Sequence, residues 1–316
     1  MSELSRDAIL RARETGEGRL LRTPLFTSRT LSDLTGARVC LKAELFQRTG
    51  SFKPRGMLAK LASLSEEEKR RGVVTWSAGN AAQGLAWSAA AEGVDCRVFM
   101  WRSANPLKVA ATRAYGAEVD LEAESAAAAH ERLLEHVERT GAVFVHPFDD
   151  PVRQSGHGTI GLELEEDVPG ATTVVVPVGG GGLIAGIATA LKGKRIVGVE
   201  PEGAASLTAA LEAGEPVQID PQTIADGLGA PFTGEGTLAV CRQRVDEVVL
   251  VSEAEIEDGF RFLYGRAKLA CEPAGAVSTA ALLAGKIALE PEETVVAVVS
   301  GGNAAPETAS AILARR

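Results

Sequence analysis

Lys53 stands in the segment GSFKPRGM, between Phe52 and Pro54 and just after a Gly-Ser pair. Because burial disfavours the ammonium form, a lysine among apolar neighbours has a lowered pKa. The neutral amine of such a lysine can attack an aldehyde and form a Schiff base. The segment therefore predicts a nucleophilic amine rather than a solvated surface charge.

Four consecutive glycines, 179–182, follow the apolar run TTVVVPV and precede LIAGIATAL. Bare N–H groups at the start of a helix favour a phosphate through their geometry and the helix dipole. No Gly-Lys-Ser/Thr of a Walker loop follows. Gly180, Gly182 and Ala185 also fit the dinucleotide pattern G-x-G-x-x-A, and Glu200 lies about 20 residues on, where a ribose-binding acid would stand. An NAD(P)-dependent oxidoreductase using Gly180, Gly182 and Glu200 is therefore an alternative from a different class.

Two other β-rich runs also end in small polar clusters: VVTWS leads into Ser-Ala-Gly-Asn at 77–80, and VVAVVS into Ser-Gly-Gly-Asn at 300–303. Pyridoxal phosphate (PLP), an aldehyde cofactor with a phosphate handle, would use every one of these features. The Asn80 amide can hydrogen-bond the 3′ oxygen of its ring, and Ser300 can face the pyridine nitrogen. A hydroxyl leaves that nitrogen neutral, which makes a weaker electron sink and suits β-elimination. A pyrophosphate loop explains neither Lys53 nor Ser300.

The elements that must position these residues alternate between strands and helices. The β-branched runs predict nine strands: RVCLKAE, VVTWS, CRVFMW, AEVDLE, AVFVHP, TTVVVPV, RIVGVE, DEVVLV and TVVAVVS. Helical patterns lie between them in five runs: AAQGLAWSAAAEG, PLKVAATRAYG, AAAAHERLLEHVERTG, LIAGIATALKG and AEIEDGFRFLYGRAK. Nearly continuous apolar strands separated by helices predict an α/β fold with parallel sheets covered on both faces. Nine strands are many for one sheet of a 316-residue chain, which favours two units.

Composition excludes several classes of protein. The chain has 45% apolar and 24% charged residues and a net charge of −9, which argues against nucleic acid as a partner. No apolar run approaches the roughly 20 residues of a membrane helix, and the N-terminus does not resemble a signal peptide. Four scattered cysteines without a CxxC predict a reducing cytoplasm and no structural zinc.

The ordered motifs GSFKPRG, SAGNAAQG, PVGGGGLIAG, GVEP, ADGL, CEPAGA and SGGN resemble those of the PLP-dependent serine/threonine dehydratase and serine racemase family, of the tryptophan-synthase-β fold type. The resemblance runs from RTPL at 22–25 to Asn303. It implies a fold type II PLP enzyme, with two domains of parallel-rich sheets flanked by helices and PLP in the cleft between them. It places the large PLP-binding domain at 1–47 and 148–316 and the small domain at 48–147. A homodimer or homotetramer is expected.

The resemblance also implies roles for individual residues. Lys53 would be the Schiff-base lysine and proton shuttle. The cofactor contacts would come from Phe52, Lys53, Asn80, Gly179, Gly180, Gly181, Gly182, Leu183, Glu272 and Ser300. The loop for the substrate carboxylate would be Ser77, Ala78, Gly79, Asn80 and Ala81. Glu272 is equally well explained as an acid at a helix N-terminus.

Three positions depart from the family pattern. Ala81 replaces a histidine, which removes one hydrogen bond to the substrate, and His157 replaces the glutamine of GQGT. Some members build a divalent cation site after GVEP, whose ligands here would be Glu200, the carbonyl of Ala204 and Ser206. Because Ser206 stands where an aspartate is expected, the site for a hard cation is weakened.

The resemblance implies a threonine/serine ammonia-lyase, which eliminates water from a hydroxy amino acid and yields a 2-oxo acid plus ammonia. Serine racemase and 3-hydroxyaspartate ammonia-lyase are alternatives with the same cofactor. Racemisation needs a proton-transfer group on each face of the carbanion, and Lys53 serves one face. Racemases similar to this chain place a serine for the other face where Ala78 stands, and a methyl group cannot donate a proton. Elimination is therefore the expected activity.

Overall fold

The structure, a computed structural model, describes residues 3–315. Within that range the strands are β1 Leu25–Thr27, β2 Arg38–Ala43, β3 Val73–Trp76, β4 Cys96–Trp101, β5 Glu118–Ala123, β6 Val143–Phe144, β7 Thr173–Pro177, β8 Arg195–Pro201, β9 Glu247–Val251 and β10 Thr294–Val299. The α-helices are α1 Arg6–Gly16, α2 Arg29–Thr35, α3 Lys53–Ala62, α4 Glu66–Arg71, α5 Asn80–Glu92, α6 Pro106–Ala114, α7 Ala126–Thr140, α8 Pro151–Asp167, α9 Gly182–Ala190, α10 Ser206–Ala213, α11 Glu235–Arg244, α12 Glu253–Phe262, α13 Pro273–Leu283 and α14 Pro306–Ala314. None of these helices combines the length and apolar character needed to span a bilayer.

The strands form two sheets. The larger has the order β1-β2-β10-β7-β8-β9, in which β1 pairs antiparallel with β2 and every other neighbour is parallel. The smaller has the order β5-β4-β3-β6 and is parallel throughout. The predicted α/β class with parallel-rich sheets flanked by helices is confirmed. The domain boundaries at residues 48 and 147 stay a prediction.

The large sheet is buried on both faces, which explains why its central strands are continuously apolar. Along β10, Val295, Ala297 and Val299 pack into one apolar cluster, while Val296 and Val298 pack into a second cluster on the opposite face. This alternation follows the period of two of a strand. The four cysteines are buried free thiols.

Parallel strands end at the same edge of a sheet, so the predicted clusters are brought together there. In the large sheet β7 and β10 are neighbours; the glycine run follows β7, and Ser300 follows β10. In the small sheet β3 leads into the loop 77–79 and then into α5. Gly181, within the glycine run, has a φ of 79°, a conformation that glycine adopts without strain.

Within residues 3–315, strand β1 and nine of the fourteen α-helices, α8 among them, were not predicted from the sequence, and one strand was predicted too long. The unpredicted strand β1 has three residues and pairs only with β2. The run AVFVHP was predicted as a strand, but only residues 143–144 pair with a neighbouring strand. Helix α8 contains SGHGTIG, whose glycines disfavour a helix by intrinsic propensity. These glycines allow α8 to pack closely on α3 and α9. A Cβ at Gly156 would overlap the carbonyl oxygen of Arg55 and lie 2.6 Å from the Cα of Gly56.

A buried network of charges fixes α3 against the large sheet and α8. Arg55 Nε lies 2.8 Å from Glu44 Oε2, and Arg55 Nη1 lies 2.6 Å from Glu163 Oε1. The amine of Lys42, on β2, lies 2.6 Å from Glu163 Oε2. Glu44 and Lys42 are fully buried and Arg55 is 2% exposed. The contacts of each charge with its partners therefore replace the water that it loses on burial.

We expect Gly156→Ala to lower the free energy of unfolding by about 1–3 kcal/mol, because the added methyl has no space at the α3–α8 crossing. Gly236→Ala is the matched control: Gly236 is also helical, and its Cβ would meet nothing within 4 Å. That control should be neutral or stabilising by up to about 1 kcal/mol. Thermal unfolding of both variants checks this, and equal melting temperatures would show that α8 tolerates a wider crossing.

Candidate active site

One cavity between the ends of the sheets brings together the residues expected to contact the cofactor. Its lining includes Phe52, Lys53, Asn80, Gly179, Gly180, Gly181, Gly182, Leu183, Glu272 and Ser300, together with Phe148 and His157. These residues come from the start of α3, the start of α5, α8 and the segment before it, the loop after β7 with the start of α9, the start of α13 and the residue after β10. Residues far apart in sequence thus form one continuous site.

Lys53 is the first residue of α3, and its Nζ lies 4.9 Å from the centroid of the Phe52 ring. Burial and, to a smaller extent, the charge of Arg153 lower the pKa of the Lys53 amine to about 7, while the charge of Glu272 acts in the opposite direction. Near neutral pH a large share of this amine is therefore unprotonated and able to act as a nucleophile or as a base.

Arg153 is a buried cation that sequence reasoning missed. It is 0% exposed, and its Nη1 donates to the backbone carbonyl of His146, while its Nε and Nη2 meet no acceptor within residues 3–315. Burial lowers the pKa of its guanidinium to about 10, against the attraction of Asp150. Nothing in the local sequence PVRQSG marks the residue as buried, since its burial arises from helix packing.

The glycine run is shaped for an anion. The backbone N–H groups of Gly179 to Leu183 meet no acceptor among the described residues and lie at the N-terminus of α9. A Cβ at Gly180 would overlap the ring of Phe148, and a Cβ at Gly181 would lie 2.6 Å from Thr237 Cγ2. Only glycine leaves this backbone open, and free N–H groups at a helix start fit a phosphate.

A chain of amide hydrogen bonds fixes the orientation of Asn80. Its Nδ2 donates to Glu272 Oε1 at 2.6 Å, and its Oδ1 accepts from Nδ2 of Asn303 at 2.8 Å. Asn303 also donates to the carbonyl of Thr49 at 2.7 Å. Burial raises the pKa of Glu272 to about 7, with a further contribution from the charge of Asp226. The sequence showed Asn303 only as the last residue of SGGN. Its hydrogen bond to Asn80 could not be predicted, because the two residues are more than two hundred positions apart.

Phe52, His157 and Ser300 complete the cavity wall. The rings of Phe52 and His157 meet edge to face with centroids 4.8 Å apart, and burial lowers the pKa of His157, so the imidazole is neutral. Ser300 is 3% exposed, and its Oγ lies 3.5 Å from the carbonyl oxygen of Ala274. At that distance the hydroxyl is weakly engaged and remains available to a ligand.

The loop expected to take the substrate carboxylate lines a second cavity of about 430 Å³, which shares Lys53, Asn80 and Gly180 with the first. The hydroxyl of Ser77 accepts the N–H of Gly79 at 3.2 Å. The N–H groups of Ala78, Asn80 and Ala81 meet no acceptor among the described residues, at the N-terminus of α5. A carboxylate fits there for the same reason that a phosphate fits at α9.

The proposed cation ligands have another function in the structure. Both oxygens of Glu200 accept hydrogen bonds from the start of α10, from Leu207 N at 2.7 Å and from Thr208 N at 2.9 Å. The hydroxyl of Ser206 donates to the carbonyl of Gly179 at 3.3 Å. Across residues 3–315, no three His, Cys, Asp or Glu side chains form a group that could hold a metal ion.

The sequence matches one known protein family over most of its length. Residues 17–301 match the pyridoxal-phosphate dependent enzymes. The chain belongs to this family. PLP as cofactor, the enzyme class and the resemblance found in the motifs are thereby confirmed. The NAD(P) alternative is wrong, because the family is PLP-dependent. Glu200 accepts its hydrogen bonds from the start of α10.

Relatives in this PLP family are similar over nearly the whole chain. The L-threonine ammonia-lyase of Thermotoga maritima is 44% identical over 93% of this chain and 74% of its own length. The catabolic L-threonine dehydratase TdcB of Escherichia coli K12 is 42% identical over 94% of this chain and 92% of its own. Among solved structures, maize serine racemase has a TM-score of 0.93 at 34% identity, covering 97% of this chain and 96% of that one. The processed threonine deaminase isoform 2 of Solanum lycopersicum has a TM-score of 0.92 at 35% identity, covering 98% and 86%.

We expect Arg153→Met to raise the pKa of the Lys53 amine, because the variant removes a positive charge that disfavours the ammonium form. The measurement is the pH dependence of acetylation of Lys53 in cofactor-free protein, followed by peptide mass spectrometry. In the unaltered protein the rate should be half-maximal near pH 7, whereas ordinary lysines titrate near ~10.4.

Arg153→Lys keeps the charge and is the matched control, so its midpoint should stay close to that of the unaltered protein. An unchanged midpoint in Arg153→Met would show that burial alone sets the acidity of Lys53.

Proposed function

We propose that this PLP enzyme is a threonine/serine ammonia-lyase that converts small 3-hydroxy amino acids into 2-oxo acids and ammonia. The observation that carries the proposal is the Lys53 amine, with a pKa of about 7, in the same cavity as the phosphate-shaped glycine run and Asn80. Relatives named L-threonine ammonia-lyase and L-threonine dehydratase, 42–45% identical over most of the chain, support it.

The chain's own residues fit PLP in the arrangement expected from the sequence. The free N–H groups of Gly179 to Leu183 would hold its phosphate, Asn80 would bind its 3′ oxygen and Ser300 would face its pyridine nitrogen. When bound, PLP supplies an electron-withdrawing ring that stabilises negative charge on the α-carbon of the substrate. Because Ser300 carries no charge, it leaves that electron sink weak, which favours loss of a β-substituent.

The protein's own residues bind the substrate carboxylate and remove the α-proton. The N–H groups of Ala78, Asn80 and Ala81 bind the substrate carboxylate at the start of α5. The neutral amine of Lys53 removes the proton from the α-carbon, a transfer worth roughly 10²–10⁴-fold in rate. Departure of the β-hydroxyl and hydrolysis of the released product give 2-oxobutanoate from threonine, or pyruvate from serine, together with ammonia.

The wider assignments are part of the same proposal. We propose a large domain at 1–47 and 148–316, a small domain at 48–147 and a homodimer or homotetramer. The partner is a small amino acid, and the net charge of −9 supports neither nucleic acid nor an anionic membrane surface. The four free, buried cysteines support a reducing cytoplasm.

The decisive experiment begins with the absorbance spectrum of the purified protein, followed by borohydride reduction and peptide mapping. PLP should be fixed to the peptide that contains Lys53. Keto-acid release should occur with L-threonine and L-serine and be abolished in Lys53→Ala. Lys192→Ala, an exposed lysine outside both cavities, is the control. Label on another lysine, or no keto acid from any hydroxy amino acid, would contradict the proposal.

Ala78→Ser should increase the formation of D-serine from L-serine relative to pyruvate. The added hydroxyl supplies a proton donor on the face of the carbanion opposite Lys53, and a positioned donor contributes on the order of 10²–10⁴-fold. Ser77 already accepts the N–H of Gly79 within the loop. Chiral chromatography of serine after incubation checks this, and rapid D-serine formation by the unaltered enzyme would instead identify a racemase.

A further inference from the structure

Asn303 joins the segment after β10 to the turn that precedes α3. Its Nδ2 donates to the backbone carbonyl of Thr49 at 2.7 Å and to Oδ1 of Asn80 at 2.8 Å. An NH2 group carries two hydrogens, and both are used here. Because a carbonyl can only accept, the carbonyl of Thr49 decides that the NH2 group of Asn303, and not its oxygen, lies on this side.

The orientation of Asn303 in turn decides the orientation of Asn80. Because Asn303 donates, Asn80 must face it with its oxygen, which leaves the NH2 group of Asn80 on the side of Glu272. Glu272 cannot make this choice by itself. Burial raises its pKa to about 7, so near neutral pH it accepts as a carboxylate or donates as an acid. It can therefore pair with either end of an amide.

The turn at 49–50 adopts an unfavourable backbone conformation against Asn303. Thr49 has a φ of 60° and a ψ of 13°, a left-handed conformation that β-branched residues rarely adopt. Gly50 follows with a φ of 74°, and a Cβ there would lie 2.5 Å from Oδ1 of Asn303. The N–H of Gly302 donates to the carbonyl of Gly50 at 2.9 Å, so the backbones of the two segments are also joined directly. The turn thus presents the Thr49 carbonyl to Asn303 at a fixed place.

We propose that Asn303 is a positioning residue for the cofactor: it fixes the Asn80 amide so that its NH2 group, and not its oxygen, is presented to the 3′ oxygen of PLP. The inference rests on the contact of Asn80 with that oxygen, which is part of the proposed function. Asn303 does not line the cavity that holds Lys53, so its effect passes through Asn80. Because the ionised 3′ oxygen only accepts hydrogen bonds, an inverted amide would set two acceptors against each other.

The test is a competition between PLP and 3-deoxypyridoxal 5′-phosphate, which lacks the 3′ oxygen, for the full-length protein. Borohydride fixes both compounds, and peptide mass spectrometry gives the ratio of their affinities. This ratio reports the contact at the 3′ oxygen and cancels a general loss of affinity. Asn303→Asp keeps the size of the side chain and removes both donors, so the Asn80 amide inverts. We expect the preference for PLP to fall at least about tenfold, as for one hydrogen bond to a charged group.

Two further variants separate orientation from packing. Asn303→Ala leaves space for water, which can donate to both oxygens, so the preference for PLP should fall less than in Asn303→Asp. A larger fall in Asn303→Ala would indicate a packing role and overturn the proposal. Asn105→Asp is the matched control, because it adds the same charge beside the same small cavity and still accepts the N–H of Leu107. Its preference should not change.

Asn80→Ala shows whether Asn303 acts through Asn80. Without the amide the preference for PLP is already low, and adding Asn303→Asp should change it by less than about twofold. A further fall of the size seen in the single variant would show that the new charge acts directly, which contradicts the proposal. If Asn303→Asp does not fold, Asn303→Leu, of similar shape and without donors, must lower the preference, and an unchanged value overturns the proposal.

The competition measures bound cofactor and requires no turnover, so it separates this inference from the proposed function. If no hydroxy amino acid yields a keto acid, the proposed elimination fails, and the preference for PLP still decides the role of Asn303. If the preference in Asn303→Asp equals that of the unaltered protein, the role of Asn303 is overturned whether or not keto acid is formed.

Discussion

The ion network around Arg55 is the constraint on which the position of the reactive amine depends. Arg55 lies two residues after Lys53 on α3, and its contacts with Glu44 and Glu163 tie that helix to the strand edge and to α8. Removing one member of a buried network typically costs about 3–5 kcal/mol because the others are left without hydration. The same helix approaches α8 where only glycine fits at Gly156. The start of α3 is thus held by charge from one side and by close contact from the other.

Burial favours the neutral form of both Lys53 and Glu272, although the two groups carry opposite charges when ionised. It lowers the pKa of Lys53 to about 7 and raises the pKa of Glu272 to about 7, because an apolar surrounding disfavours either charged form. The positive charge of Arg153 contributes to the same lowering of the lysine pKa. Near neutral pH, a small change in the cavity can therefore change the protonation of Lys53 or of Glu272. Because these groups interact, an observed pKa describes the cluster rather than one residue.

The sequence predicts those features whose cause is local. Continuous β-branched runs predicted the strands, and glycine or small polar clusters at their ends predicted the site, because parallel strands deliver their carboxyl ends to one edge. Features that depend on distant partners were missed. Helix α8 is rich in glycine and forms because it packs on α3 and α9. Arg153 becomes a buried cation only through that packing, and the amide of Asn303 acquires its role from Asn80, far away in the chain.

The ion pair between Lys108 and Asp226 joins two sides of the second cavity, so a change in the width of that cavity would respond to ionic strength. Lys108 lies on α6, beside the small sheet, and Asp226 lies in the segment between α10 and α11 of the large one. Any widening of the cavity draws the two charges apart, against an attraction of about 0–1 kcal/mol for a partly exposed pair. Since the screening length shrinks from ~30 Å at 0.01 M to ~8 Å at 0.15 M salt, dilute buffer favours the narrow cavity and concentrated salt the wide one.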